Sequence, residues 1–236
     1  MPSLKSSAHS SEDRGKLRAR TLAVIKRLKK NYPDAEIALR YSNPLELLVS
    51  TILSAQCTDV RVNMVTPNLF NKYQTARDYA TANRKEFEAE IRSTGFFRAK
   101  TKSILGCCKA LVERHAGRVP DLMEELLKLP GVGRKTANVV LGGAFGKAEG
   151  IVVDTHVRRL AGRLGFTKHI NPEKIELDLM DIVPNKDWFA LGNLLIWHGR
   201  EICQARKPKC RECSVGDLCP SFGVFMKSLY AVRPNS

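Results

Sequence analysis

The segment Leu129-Pro130-Gly131-Val132-Gly133-Arg134-Lys135-Thr136 decides the fold, because it places a short glycine-containing turn between two helical patterns. Glycines permit backbone conformations that other residues resist, and they let the chain approach a ligand closely. The free N–H groups of such a turn and of the next helix's first turn point outward, an arrangement that binds phosphate without selecting a base sequence. The alternative is a helix-helix turn that merely contains glycine.

The segments on either side of this turn also have helical patterns. Asn43-Pro44 is typical of a helix start, with Asn as the N-cap and Pro at the first helical position. Only Ile151-Val152-Val153 resembles a strand, and it is too short to found a sheet. We therefore predict an all-α fold of roughly ten helices with short connections. The predicted helical segments begin near residues 17, 44, 58, 86, 99, 120, 134, 155, 172 and 188.

The composition points to a polyanionic partner. The chain has 236 residues and a formal net charge of +15, which favours nucleic acid first and an anionic membrane surface second. A hydrophobic content of 43% excludes a disordered basic tail protein. No apolar run approaches the roughly 20 residues of a membrane span. The Ser-rich segment 1–16 is predicted to be a disordered polar tail without the apolar region of a secretory signal, so we expect a reducing cytoplasm.

Four of the seven cysteines crowd into one short stretch: Cys203, Cys210, Cys213 and Cys219. In a reducing compartment such a cluster favours metal ligands over disulfides. Four thiolates in one loop suit either tetrahedral zinc or an iron–sulfur cluster, and the spacing alone does not choose between them. The remaining three, Cys57, Cys107 and Cys108, fall on predicted helices and are interpreted as small buried residues.

The stretch from Leu129 to Gly142, LPGVGRKTANVVLG, resembles the helix-hairpin-helix of the DNA glycosylase superfamily, and it is most similar to the endonuclease III branch. The same family is resembled by three other parts of the chain, which stand in the family's order: segments 53–59 and 153–156 and the four clustered cysteines. The resemblance covers about residues 17–220. It implies two helical lobes with a DNA cleft between them: a six-helix domain at 38–147, and a discontinuous domain formed by 17–37 and 148–236.

The resemblance implies a bifunctional DNA glycosylase and abasic-site lyase of base-excision repair that removes oxidised pyrimidines. Lys135 matches the family's catalytic lysine, which forms a Schiff base and cuts 3′ to the lesion by β-elimination. Asp154 matches the catalytic aspartate, whose charge would stabilise positive charge on the sugar. Both have simpler interpretations, since a lysine on a helix is usually solvated and Asp154 precedes a helix that it would cap.

The resemblance also implies DNA contacts. Gln56 would enter the gap left by a flipped base, and Phe96 stands where the family has an apolar wedge, although leucine is the expected residue. Packing in the core is the alternative for Phe96 or Phe97. His156 would contact the DNA backbone or stabilise local structure. The remaining expected contacts are Gly131, Val132, Gly133 and Arg134 of the turn and Lys207 and Lys209 of the cysteine loop.

The implied cofactor is a [4Fe–4S] cluster on the four cysteines, in a structural role. The implied partner is double-stranded DNA containing damaged pyrimidines or abasic sites, bound by a monomer in the bacterial cytoplasm and nucleoid, with no membrane. One rival is an adenine-specific mismatch glycosylase, which usually lacks the lysine and carries a further C-terminal domain, whereas 17 residues follow Cys219 here. Another is a non-catalytic iron–sulfur protein that binds DNA.

Overall fold

The computed structural model describes residues 13–231, with side chains to residue 226, and this part of the chain contains helices and no strands. The predicted all-α class is therefore confirmed. No helix of the described residues is both long and apolar enough to cross a lipid bilayer. The α-helices are α1 (Arg14–Asn31), α2 (Pro44–Leu53), α3 (Asp59–Lys72), α4 (Ala76–Ala80), α5 (Arg84–Glu90), α6 (Phe97–His115), α7 (Met123–Leu127), α8 (Arg134–Phe145), α9 (Thr155–Arg163), α10 (Pro172–Ile182), α11 (Trp188–Glu201) and α12 (Phe222–Ala231). Short 3₁₀ helices lie at Arg92–Thr94, Asn185–Asp187, Cys210–Glu212 and Gly216–Leu218.

The chain divides into two compact units, one at Glu36–Val152 and one that joins the chain before residue 36 to the chain after residue 152. The first unit contains α2 to α8, seven α-helices where six are predicted from the sequence. The additional helix is α4, which has five residues. A capping box, in which the Thr75 and Asp78 side chains each accept from the other's backbone N–H, starts this short helix.

Helix α2 forms the centre of the first unit. Asn43 caps it by accepting from the Glu46 backbone N–H, and Pro44 occupies its first turn, as predicted. Its side chains from Leu47 to Leu53 are buried. Gly143 lies where α8 packs on α2, because a Cβ atom added at this glycine would come within 2.8 Å of the Leu47 side chain. Helix α8, which follows the glycine turn, is therefore held closely against the core.

The second unit is built on α1, α9, α10 and α11. Helix α1 buries Val24 and Leu28, α9 buries Val157 and Leu160, and α11 buries Leu191, Leu194 and Leu195. Asp13 caps α1 by accepting from the Gly15 backbone N–H. Residues 14–16 are therefore helical, and their assignment to the disordered tail is wrong; the rest of that predicted tail, up to residue 12, lies outside the described residues.

Two other local predictions are wrong. The segment 151–153 is not a strand; Ile151 and Val152 are buried side chains of an extended connection. Helix α7 begins at Met123 and not at Pro120-Asp121. Helix α3 contains Pro67 and continues to Lys72. Pro67 is exposed, so water can bond the carbonyl that loses its intrahelical partner.

Candidate active site

The turn between α7 and α8 holds two glycines that differ in their constraints. Gly131 has a φ of +77°, and a Cβ atom added there would lie 2.4 Å from Ser103 Cβ. It therefore needs to be glycine. Gly133 has a φ of −97° and open space around the Cβ position, so the expectation that both glycines hold restricted conformations is wrong for Gly133. Val132 is 7% exposed and packs in the core, so its side chain fixes the turn from within and is not presented to DNA.

The first turn of α8 presents positive charge next to backbone donors. Its N-cap is Gly133, which has no side chain to accept a hydrogen bond from the first N–H groups. Arg134 and Lys135 are both exposed, and the first turn contains no acidic residue. A helix N-terminus carries partial positive charge, so this end of α8 is suited to an anion such as a DNA phosphate. The Lys135 amine lies at its edge, accessible to solvent.

Two other loops of the same unit present exposed side chains from strained backbone. Gln56 has a φ of +52° and Phe96 a φ of +47°, in the left-handed region that non-glycine residues rarely adopt. Both are exposed, Phe96 by 65%. Phe97 packs partly buried against the core, so the core-packing alternative holds for Phe97 and not for Phe96.

The three cysteines outside the C-terminal cluster differ in burial and in position relative to the helices. Cys107 and Cys108 are buried on α6 as predicted, and burial raises the pKa of Cys107 to about 12. Cys57 lies in the loop between α2 and α3 and is only partly buried, so its predicted place in a helix is wrong. Helix α2 ends at Leu53 and Thr58 caps α3, so Cys57 falls between the two helices.

Asp154 is the N-cap of α9, in the second unit. Its Oδ1 atom accepts a hydrogen bond of 2.8 Å from the Val157 backbone N–H. The capping interpretation is therefore confirmed. The side chain is half-buried, and no hydrogen bond to Oδ2 occurs within residues 13–226. One carboxylate oxygen thus fixes the helix start while the other remains available.

A chain of hydrogen bonds runs from α9 to the cysteine segment. Arg159 donates from Nη2 to the Gly199 carbonyl at 2.9 Å and from Nε to the Cys203 carbonyl at 3.1 Å. The same Nη2 lies 3.1 Å from His156 Nδ1. Burial lowers the pKa of His156, which favours the neutral ring. A hydrogen bond between the ring and the Gly199 backbone acts in the opposite direction.

The four clustered cysteines line one cavity. Apolar side chains of Leu160, Ile202, Phe222 and Phe225 complete its wall. Two polar residues contact the thiols: Arg163 Nη1 lies 3.2 Å from Cys203 Sγ, and His198 Nε2 lies 3.4 Å from Cys213 Sγ. Burial lowers the pKa of His198 to about 4. In the described residues no group of three or more His, Cys, Asp or Glu side chains is arranged to hold a metal ion.

The loop between the first two of these cysteines carries exposed cations. Lys207 and Lys209 are exposed on either side of Pro208, which is buried in the cavity wall. The sequence did not single out Arg159 or Arg163, which hold this loop through its backbone carbonyls. Their spacing along α9, three and seven residues after His156, places them on one face of the helix and is the pattern that could have identified them.

The comparisons with known proteins agree with this geometry. Residues 49–185 match the family model described as HhH-GPD superfamily base excision DNA repair protein. The chain is 55% identical to "Endonuclease III" of Synechocystis sp. over 206 residues, which are 87% of this chain and 93% of the relative. This chain belongs to the endonuclease III family.

Other relatives of the family cover the chain to a similar extent. Endonuclease III of Escherichia coli K12 is 40% identical over 86% of this chain and 95% of its own length. The solved structure "Structure of a Trapped Endonuclease III-DNA Covalent Intermediate: Estranged-Adenine Complex" superposes with a TM-score of 0.84 at 42% identity, covering 89% of this chain and 98% of that one. A non-covalent endonuclease III-DNA complex matches equally well.

Proposed function

We propose that this endonuclease III family member excises oxidised pyrimidines from duplex DNA and then cuts the strand 3′ to the abasic site. Family membership makes it a DNA glycosylase of base-excision repair with abasic-site lyase activity. The observation that carries the finer proposal is the exposed Lys135 amine on the first turn of α8, directly after the turn that suits a phosphate. We expect a monomer acting on chromosomal DNA in a bacterial cytoplasm.

Lys135 is the proposed nucleophile. Its neutral amine attacks C1′ of the damaged nucleotide, the C1′–N bond breaks, and the base leaves with the electron pair of that bond. The attached nitrogen then loses a proton, the C1′–O4′ bond of the sugar ring breaks and O4′ takes up a proton, which leaves a protonated Schiff base between C1′ and Lys135. This Schiff base acidifies the C2′ hydrogen, and loss of that proton forms the C2′–C3′ double bond and expels the 3′ phosphate. Solved structures of relatives include one titled as a trapped covalent intermediate with DNA, which supports a covalent mechanism.

Asp154 is the proposed electrostatic partner of the sugar. Breaking the glycosidic bond develops positive charge on the sugar ring, which a carboxylate stabilises. The hydrogen bond from Val157 uses Oδ1 and fixes the side chain, which supports a preorganised charge at Oδ2.

The remaining predicted residues would bind and open the duplex. The Gly131–Gly133 turn and Arg134 bind phosphate through backbone N–H groups and a cation, while Val132 supports the turn from within. Gln56 and Phe96, exposed on their strained loops, would enter the stack as the damaged nucleotide flips out. Lys207 and Lys209 add cations on the cysteine loop, and the His156 ring would contact the DNA backbone.

A [4Fe–4S] cluster is the proposed occupant of the cysteine cavity. Four thiols line one cavity, and four cysteine thiolates are the ligand set that holds a [4Fe–4S] cluster. When bound, the cluster would cross-link the segment 203–219 and so hold its basic loop in place. Arg163 and His198 would hydrogen-bond ligand sulfurs from outside.

The proposal is tested by incubating the protein with duplexes that contain thymine glycol, dihydrouracil, an abasic site or no lesion, and resolving the products on a denaturing gel. Cleavage of the three damaged duplexes, with a 3′ end typical of β-elimination, is the expected result. A duplex with adenine opposite an oxidised guanine tests the rival mismatch glycosylase. Equal binding to all duplexes without cleavage would instead support a non-catalytic DNA-binding protein.

A further inference from the structure

Lys100 is a buried cation on the first turn of α6, and none of the steps above uses it. Only 4% of its surface is exposed. Its Nζ donates a hydrogen bond of 2.7 Å to the Thr94 backbone carbonyl. Lysine is almost never fully buried unless it is paired, and here a neutral carbonyl, not a carboxylate, receives the ammonium. Burial accordingly lowers the pKa of Lys100.

The carbonyl that Lys100 holds belongs to the segment that presents Phe96. Gly95 and Phe96 follow Thr94 with successive positive φ angles of 70° and 47°. The backbone N–H of Lys100 donates to the Phe96 carbonyl at 3.1 Å. Lys100 therefore donates to both ends of the three-residue segment from Thr94 to Phe96, through its side chain at one end and its backbone at the other.

The residue that these contacts support has an unusual backbone conformation. In the described part of the chain three non-glycine residues have positive φ: Gln56, Phe96 and Ala116. Of these, Phe96 belongs to the segment that Lys100 holds at both ends. Strained backbone of this kind persists only where the surrounding structure determines it, and it concentrates at functional sites.

We propose that Lys100 is a positioning residue that holds the Phe96 loop in the conformation from which the Phe96 side chain enters the DNA. The inference rests on the proposed function of Phe96. The Lys100 ammonium serves this purpose because its hydrogen bond fixes the Thr94 carbonyl, two residues before Phe96. A methylene chain of the same length would fill the space but leave the Thr94 carbonyl without its donor.

The test compares Lys100→Met with Lys102→Met, a matched control that removes an exposed lysine from the same helix. A fluorescent adenine analogue opposite thymine glycol reports the unstacking that insertion of Phe96 causes. Lys100→Met should lose most of the fluorescence rise and slow single-turnover excision about tenfold, as expected for a group displaced by a fraction of an ångström. Lys102→Met should match the wild type, and Lys100→Arg should recover much of the loss.

A double-mutant cycle separates positioning from a general loss of stability. If Lys100 acts through Phe96, Lys100→Met should slow excision by less than about twofold when Phe96→Ala is already present. Additive losses, or a wild-type fluorescence rise in Lys100→Met, would overturn the inference. Should Lys100→Met fail to fold, Lys100→Gln keeps an N–H donor on a shorter side chain. It should show a smaller loss of the fluorescence rise and a smaller loss of the excision rate. A wild-type protein that excises nothing would contradict the proposed function instead.

Discussion

Asp154 accepts a hydrogen bond from the Val157 backbone N–H at 2.8 Å, so the proposed catalytic carboxylate is also the cap of α9. The two roles involve different properties of one side chain. Capping needs a short side chain with an acceptor oxygen, whereas stabilising a cationic sugar needs a full negative charge. Substitutions that preserve one property and remove the other therefore distinguish the roles.

Asp154→Asn should keep the fold and lose most of the excision activity. Asparagine caps helices about as well as aspartate, so the free energy of unfolding should change by less than about 0.5 kcal/mol. Asp154→Ala, which loses the cap as well, should cost about 1 kcal/mol. Excision of thymine glycol should fall by about 100-fold in both variants, because both lack the charge. Near-normal excision by Asp154→Asn would leave only the capping role.

The two glycines of the turn should respond differently to substitution by alanine. Gly131→Ala forces a strained φ and a clash with Ser103, so it should lower the free energy of unfolding by about 1–3 kcal/mol. Gly133→Ala has open space and an ordinary φ, so it should change stability by less than about 0.5 kcal/mol.

DNA binding gives a second measure of the same pair. If a phosphate approaches the backbone at Gly133, the added methyl group of Gly133→Ala should weaken binding to an abasic-site analogue about tenfold. Fluorescence anisotropy measures this affinity. Unchanged affinity in Gly133→Ala would argue against close approach of a phosphate at this turn.

The cysteine cavity should contain iron. Protein purified without oxygen should be brown and carry about four irons per chain. Cys213→Ser should lose most of this iron, whereas Cys57→Ser, a change to a cysteine outside the cavity, should retain it. Metal analysis and the visible spectrum measure both outcomes. A colourless wild-type protein that contains zinc and no iron would contradict the assignment.

The half-buried imidazole of His156 should contribute to acid sensitivity. Burial lowers its pKa in the folded state, so the unfolded chain binds the proton more readily. Stability from this group is therefore complete above the unfolded pKa of about 6.5 and is lost as the pH falls below it. Urea unfolding at about pH 7.5 and 5.5 should show a smaller pH-dependent loss in His156→Gln than in the wild type. An equal or larger loss in the variant would contradict this sign.

The structure could be predicted from the sequence best at positions where a residue type has a single local role, such as capping a helix. Asn43-Pro44, Thr58 and Asp154 all cap the helices that they were expected to begin. Helix α4 was missed because five residues show too little periodicity, although the Thr75 to Asp78 spacing is a capping signature. The need for glycine at Gly131 but not at Gly133 depends on Ser103, a contact between distant parts of the sequence.

Prediction of the candidate site has the same limit, because contacts between distant parts of the sequence also decide it. The four cysteines were identifiable because their crowding in sequence brings them to one cavity. Lys100 was not, because a lysine on an amphipathic helix is expected to face water, and only the packing of α6 against the segment before it buries the ammonium. The same packing leaves Phe96 exposed and Phe97 in the core, a division that their adjacent positions do not reveal.

The most direct test of the central claim is borohydride trapping of the protein on a duplex with an abasic site, followed by mass spectrometry of the cross-linked peptide. The wild type and Lys128→Ala, a control at an exposed lysine before the turn, should both form a covalent adduct through Lys135. Lys135→Ala should form none and should lose strand cleavage. An undiminished adduct in Lys135→Ala, or a wild-type adduct at another residue, would contradict the account.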